Sequence, residues 1–310
     1  MILALLVAAR FAHFAASLSL FGGWLYALHG LRGAALAPAA ARVIVPLRPM
    51  LLTAAVIALA SGALWIAMTV ANIGGTFASA ADAGTWAMVL GETDFGRVWI
   101  VRLALAAALV GATLFAVRKR SPALDLAAAV LGTVLLASLA LLGHTQVEEG
   151  GARAVHMGAD ALHLLGAGAW LGGLAALALL LRPAADPPLG LVHQALGRFS
   201  AMGVAAVAAL AVSGLVNAWF LVGTPQALVA TTYGRVLLLK LSLFGLMVAL
   251  AAENRFRVTG EVAAAAQAGA PPAQALKAIR RNVALEQVLG AAILALVAVL
   301  GAIEPASAGR

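Results

Sequence analysis

The stretch HFAASLSLFGG at residues 13–23 recurs as HLLGAGAWLGG at residues 163–173. In each copy a histidine stands inside an apolar run, and two adjacent glycines follow it nine and ten residues later. The same offset of 150 residues brings Arg10 onto Asp160, so each histidine is preceded, about one helical turn earlier, by an ionisable residue. A spaced pattern that returns at a fixed offset marks a duplicated unit, and its surroundings say what kind of unit this is.

Hydrophobic residues make up 64% of the 310 positions and charged ones only 10%, with a mean hydropathy of +1.02. A water-soluble domain cannot hide that much apolar surface, so the chain reads as an integral membrane protein. Its apolar runs reach the roughly 20 residues needed to cross a bilayer as helix, and alternating ten-residue segments of barrel type are absent. Eight such runs are expected: Ile2 to Leu28, Arg48 to Val70, Arg97 to Val117, Ala123 to Leu142, Val155 to Leu181, Phe199 to Leu221, Tyr233 to Ala252 and Val283 to Ile303. The fold class is therefore all-α, with residues 1–150 as a first four-helix repeat and 151–310 as a second, together one membrane domain. Four crossings per repeat return the chain to the side it started from, so the repeats are parallel rather than inverted.

Basic residues gather in alternate connections: Arg32, Arg42 and Arg48; Arg118, Lys119 and Arg120; Arg182 and Arg198; Arg255, Arg257, Lys277, Arg280 and Arg281. The intervening connections carry Asp82, Glu92 and Asp94, then Glu148, Glu149 and Arg153, then no charge from Gly223 to Thr232. Positive charge favours the cytoplasmic side, which puts both termini outside. The net charge of +8 thus reads as a topology signal spread over short loops rather than a nucleic-acid patch. The first basic residue, Arg10, is already inside the first apolar run, so the first helix is expected to stay in the mature protein. Thr259 to Pro272 reads as a flexible linker before a short basic helix around Ala273 to Arg281.

The duplication extends past the histidine helices. Thr93, Phe95, Gly96, Arg97, Val98 and Arg102 match Thr231, Tyr233, Gly234, Arg235, Val236 and Lys240. A weaker echo pairs Ser61 and Gly62 with Ser213 and Gly214, each followed by a tryptophan, Trp65 or Trp219. The paired glycines, with Gly166 and Gly168, suit close helix packing.

Cysteine is absent, so a metal would have to be held by His, Met or carboxylate. No GxxxxGK[ST] run occurs, so nothing in the chain resembles that ATP-binding motif. The strongest cluster is His144 with His156, Asp160 and His163, the last three on one helical face over about 10 Å, suited to a path rather than a single ion. His13 is expected at the same depth as His163, facing it across a pseudo-twofold axis. Met68 and Met157 would bias a site toward Cu(I). A single histidine in a membrane helix ordinarily hydrogen-bonds a neighbouring helix, and His29 and His193 fall in loops. Two histidines at equivalent positions with two more nearby point instead to function. Arg10 and Asp160 are expected to pair, because an isolated charge at that depth is costly. Arg97, Arg102, Arg235 and Lys240 stand near helix ends, where snorkelling is the default, while Asp125 and Glu286 are read as helix starts that favour an acid.

At these residues the chain resembles the CopD or PcoD copper-resistance inner-membrane proteins of bacteria. The likeness rests on Gly143 with His144, on Asp160, His163 and Trp170 to Leu174, on Tyr233, Gly234, Arg235 and Lys240, on Asn254 with Arg255, and on Glu286. It implies a multi-pass protein of the bacterial cytoplasmic membrane, a transporter more than an enzyme. Such a protein passes copper ion from periplasm toward cytoplasm after delivery by a soluble CopC-type periplasmic carrier. His144, His156, His163 and His13 would be the metal ligands, with Arg10 and Asp160 as a supporting pair. The four-helix unit is also similar to the HemJ type of membrane protoporphyrinogen oxidase. That likeness implies haem b, with His13 or His163 as axial ligand and Arg102 and Lys240 as propionate partners in an electron-transfer protein.

Overall fold

The computed structural model describes residues 1–31, 38–142, 149–183, 188–268 and 273–307. Eight helices in it are long and apolar enough to span a membrane: α1 (Ile2–His29), α2 (Val45–Ile73), α3 (Asp94–Lys119), α4 (Pro122–Leu141), α5 (Gly150–Leu181), α6 (Leu189–Leu221), α7 (Thr232–Ala265) and α8 (Ala273–Leu300). No strand occurs among the described residues. Each expected crossing is present, and the differences lie at the ends. The outward faces are apolar: Leu215 is 75% exposed and Val288 66%. Side chains of that kind are stable outside only against lipid, so the protein is a multi-pass membrane protein.

Two readings of the sequence need correction. The linker expected from Thr259 is helical over Thr259–Gln267 and continues α7 through a π-helical turn at Asn254–Val258. Its run of alanines, the best helix formers, outweighs the flexibility suggested by its glycines. Glu286 does not open a helix either. Because α8 begins at Ala273, Glu286 lies in mid-helix, far from any dipole end, and is 1% exposed. Asp125 does sit in the first turn of α4, and its carboxylate also takes both Arg48 Nη2 at 2.7 Å and Nε at 3.3 Å, a forked pair tying α2 to α4.

The threonine of the T-x-aromatic-G signature caps its helix. Thr93 Oγ1 accepts from the backbone N–H of Gly96 at 2.9 Å and opens α3, and Thr231 Oγ1 accepts from Gly234 at 3.0 Å and opens α7. Each hydroxyl also donates back, to the carbonyl of Val89 or of Ala227. The glycine is needed because a short helix lies directly against it. A Cβ at Gly96 or Gly234 would stand 2.5 Å from the Cα of Leu90 or of Leu228.

The glycine pairs set the centre of the bundle. A Cβ on Gly22 of α1 would lie 2.6 Å from the backbone N of Gly173, and one on Gly172 of α5 would lie 2.9 Å from the Cα of Gly22. The second glycine of each pair faces the next helix of its own half. Gly23 packs on Leu51 of α2, and Gly173 on Met202 and Phe199 of α6. Helices α1 and α5 therefore cross backbone to backbone at their glycines, in the manner of small-residue contacts in lipid. Each histidine stands nine residues, about 13 Å, before that crossing.

Candidate functional site

His13 on α1 is 1% exposed. Its Nδ1 lies 2.9 Å from the carbonyl oxygen of Ala58 and 3.4 Å from Ser61 Oγ, both on α2. Its Nε2 lies 2.7 Å from Nη2 of Arg102 on α3. A guanidinium only donates, so Nε2 accepts and Nδ1 carries the proton to Ala58. Trp65 and Trp99 flank the imidazole, with ring centroids at 5.7 and 5.8 Å. Arg102 also donates to the carbonyl of Leu135 at 2.8 Å and to Ser138 Oγ. It does not snorkel: 1% exposed, it joins α1, α3 and α4.

His163 on α5 has the same first neighbours and a different second side. Its Nδ1 lies 3.0 Å from Ser213 Oγ on α6, and a Cβ on Gly214 would touch its ring as one on Gly62 would touch that of His13. Where Arg102 closes His13, Lys240 of α7 lies within electrostatic range of His163. Among the described residues nothing hydrogen-bonds Nε2 of His163, so that lone pair is open.

The ionisable residue one turn before each histidine differs likewise. Arg10 places its guanidinium carbon 4.6 Å from the Trp65 ring centroid and 5.9 Å from that of Phe14. Asp160 Oδ1 accepts from Asn217 Nδ2 at 3.3 Å and lies in the field of His156, Lys240 and Tyr233. Arg10 and Asp160 form no ion pair with each other. The helix register explains their partners: counting from Ser61 and Ser213, Asn217 and not Trp219 answers to Trp65. Trp219 is instead 74% exposed, so the tryptophan echo was one of composition, not of position.

His156, two turns outward of His163, is 2% exposed and stacks on Phe220 with centroids 4.5 Å apart and planes 4° apart. His144, Gly143, Glu148 and Arg32 lie outside the described residues. His13 packs against α2 and α3, and His163 lies against α6 with α7 beyond, so the two histidines face different helices and do not contact each other. Among the described residues no cluster of three or more His, Asp or Glu comes together to enclose a metal.

A haem does not fit at His13. An axial imidazole must offer a free nitrogen, and Arg102 and Ala58 occupy both. Arg102, as propionate partner, is already committed to His13, Leu135 and Ser138.

Sequence reasoning missed Asn217 and Phe220 altogether. The serine-to-serine register would have found Asn217, which holds in α6 the position that Trp65 holds in α2 and faces Asp160 as Trp65 faces Arg10; nothing in the sequence marks Phe220.

The fold and the site define a multi-pass membrane protein with ionisable side chains buried among its spanning helices. The matches are narrower. Residues 1–155 match the family described as copper resistance protein D-like, N-terminal domain, and residues 193–300 match copper resistance protein D. The chain is 39% identical over 308 residues to copper resistance protein D of Pseudomonas syringae pv. tomato, covering 96% of each. It is 30% identical over 301 residues to inner membrane protein YebZ of Escherichia coli (strain K12), covering 96% of this chain and 98% of that one. It is 36% identical over 188 residues to copper transport protein CutJ of Bacillus subtilis (strain 168), 59% of this chain and 34% of that one. The chain belongs to the copper resistance protein D family. No solved structure matches it.

Proposed function

We propose that this protein carries copper through the bacterial inner membrane, from periplasm toward cytoplasm, by way of imidazoles in its second half. The observation that carries the reading is the open Nε2 of His163, held at membrane depth beside Asp160 and Lys240, with His156 further out on the same helical face. A neutral imidazole with one nitrogen fixed and the other free is a ready copper ligand. His144, in the connection before α5, supplies the outermost nitrogen, and a CopC-type periplasmic carrier delivers the ion there. His13 contributes a ligand only when Arg102 leaves its Nε2.

In this reading residues 1–150 and 151–310 are two parallel units with both termini on the periplasmic side. Supporting this are the paired contacts His13 with Ser61 and His163 with Ser213, the two threonine caps, and the glycine crossing between α1 and α5. The names of the relatives, copper resistance protein D and copper transport protein CutJ, agree with copper as cargo.

The test is copper binding by purified protein together with its visible spectrum. Wild type is expected to bind copper without a Soret band, and His163→Ala to lose most of that binding while folding normally. Cells carrying His163→Ala or His156→Ala, at unchanged membrane levels, are expected to lose copper uptake. A haem Soret band from wild type, or full uptake by His163→Ala, overturns the reading.

A further inference from the structure

A cavity of about 220 Å³ opens between α5, α6, α7 and α8 at the arginine-rich end of the bundle, away from the histidines. Its walls are apolar, formed by Leu174, Leu177, Val204, Val207, Val248 and Val283, and one end is polar, with Glu286, Asn254, Arg255 and Ser200. Phe256, 80% exposed, and Val204, 52% exposed, stand at its mouth. An opening framed by bare apolar side chains on a membrane protein faces lipid, not water.

The polar end is built with care. Glu286 is 1% exposed, and its carboxylate accepts from Trp170 Nε1 at 3.1 Å and from Asn254 Nδ2 at 2.9 Å. Asn254 Oδ1 accepts from Asn282 Nδ2 at 2.9 Å, and Asn282 Oδ1 accepts from Arg281 Nε and Nη2 at 3.2 and 3.1 Å. A chain of amides thus runs from a guanidinium to the carboxylate, and every direct partner of Glu286 is neutral. A carboxylate offers about four lone-pair positions and two are filled. A buried charge without a cation beside it is costly unless something supplies one. Asn254 and Arg255 open the π-helical turn at Asn254–Val258; Asn254 points inward to Glu286, and Arg255 stays at the rim, where its Nη1 lies 2.6 Å from Ser200 Oγ.

The depths match a lipid of one leaflet. Glu286 lies five residues beyond Arg281, about 7.5 Å deeper along α8, and Val248 lies six residues, about 9 Å, beyond Asn254 toward the bilayer centre. The polar groups therefore lie toward the arginine-rich end of the spanning helices, and the apolar walls run from there toward the middle of the bundle.

We propose that this cavity binds a phospholipid whose headgroup ends in a primary ammonium, phosphatidylethanolamine in chemical terms. The ammonium donates to the open lone pairs of Glu286, the phosphate lies against Arg255, and an acyl chain follows Val204, Val207 and Val248. A quaternary ammonium has no N–H to give the carboxylate, and an anionic head without an amine meets it with like charge, so both are disfavoured.

The test uses full-length protein in mild detergent, washed free of lipid and then incubated with vesicles of phosphatidylethanolamine, phosphatidylcholine or phosphatidylglycerol. Retained lipid is counted by native mass spectrometry. One phosphatidylethanolamine per chain is expected, with Glu286→Gln weakening its retention roughly tenfold through loss of a charge-assisted hydrogen bond. Val204→Trp, which fills the cavity and leaves the polar chain intact, is expected to retain none; it decides the matter if Glu286→Gln fails to fold. Equal retention of the three lipids by wild type, or undiminished retention by folded Val204→Trp, overturns the proposal.

Discussion

Nη2 of Arg102 lies 2.7 Å from Nε2 of His13, and this contact has no hydrogen-bonded counterpart at His163 among the described residues. His163 keeps the helix neighbours of His13, yet has Lys240 within electrostatic range where His13 takes a hydrogen bond from a guanidinium. Both ring nitrogens of His13 are engaged, whereas among the described residues Nε2 of His163 has no hydrogen-bond partner.

Arg102→Ala is expected to leave Nε2 of His13 without a donor inside the bundle and to take from the carbonyl of Leu135 one of its donors, Ser138 Oγ remaining at 2.9 Å. The cost is about 1–3 kcal/mol of stability, measured by denaturation in detergent. Lysine at this position does not restore it, because one ammonium cannot reproduce the planar fork that reaches His13, Leu135 and Ser138 together. The His13→Ala, Arg102→Ala double variant is expected to lose less than the sum of the single losses, since both remove the same contact.

Lys240→Met removes the cation that lies near both His163 and Asp160. With Asp160 no longer offset, a cation at His163 gains electrostatic attraction, and copper affinity is expected to rise roughly tenfold. Uptake is expected to fall because release slows. Equilibrium binding and timed uptake, measured on the same variant, separate the two effects.

Gly22→Ala places a methyl against the backbone of Gly172 and Gly173, and the helices must move apart. A loss of about 1–3 kcal/mol is expected from such overpacking, whereas Gly111→Ala, with nothing within 4 Å of its added Cβ, is expected to be neutral or mildly stabilising. Thermal unfolding of the two variants side by side makes the comparison.

Asp82, outside the spanning helices, accepts from both Oγ1 and the backbone N–H of Thr85 at 2.7 Å, which holds its carboxyl below the usual carboxylate range. Because the folded value is the lower one, the cap is complete above the ordinary carboxylate pKa and is lost as pH falls through the depressed one. Thr85→Val is expected to raise that value, read by the NMR titration of the Asp82 carboxyl carbon.

The sequence by itself determined the eight crossings, because run length and apolar content follow from bilayer thickness alone. It also determined the recurrence of His13 and His163, of the glycine pairs and of the threonine signature, since spacing survives in a string of letters. Partners did not follow in the same way. Arg10 and Asp160 align in sequence yet face Trp65 and Asn217, because what a side chain meets depends on the helix packed beside it. Glu286 looked like the start of a helix until α8 proved to begin at Ala273, and the basic turn before it became part of one continuous rod. Only the tertiary structure decided that Arg102 seals one histidine while the other stays open, because hydrogen-bond direction across helices far apart in sequence leaves no periodic trace.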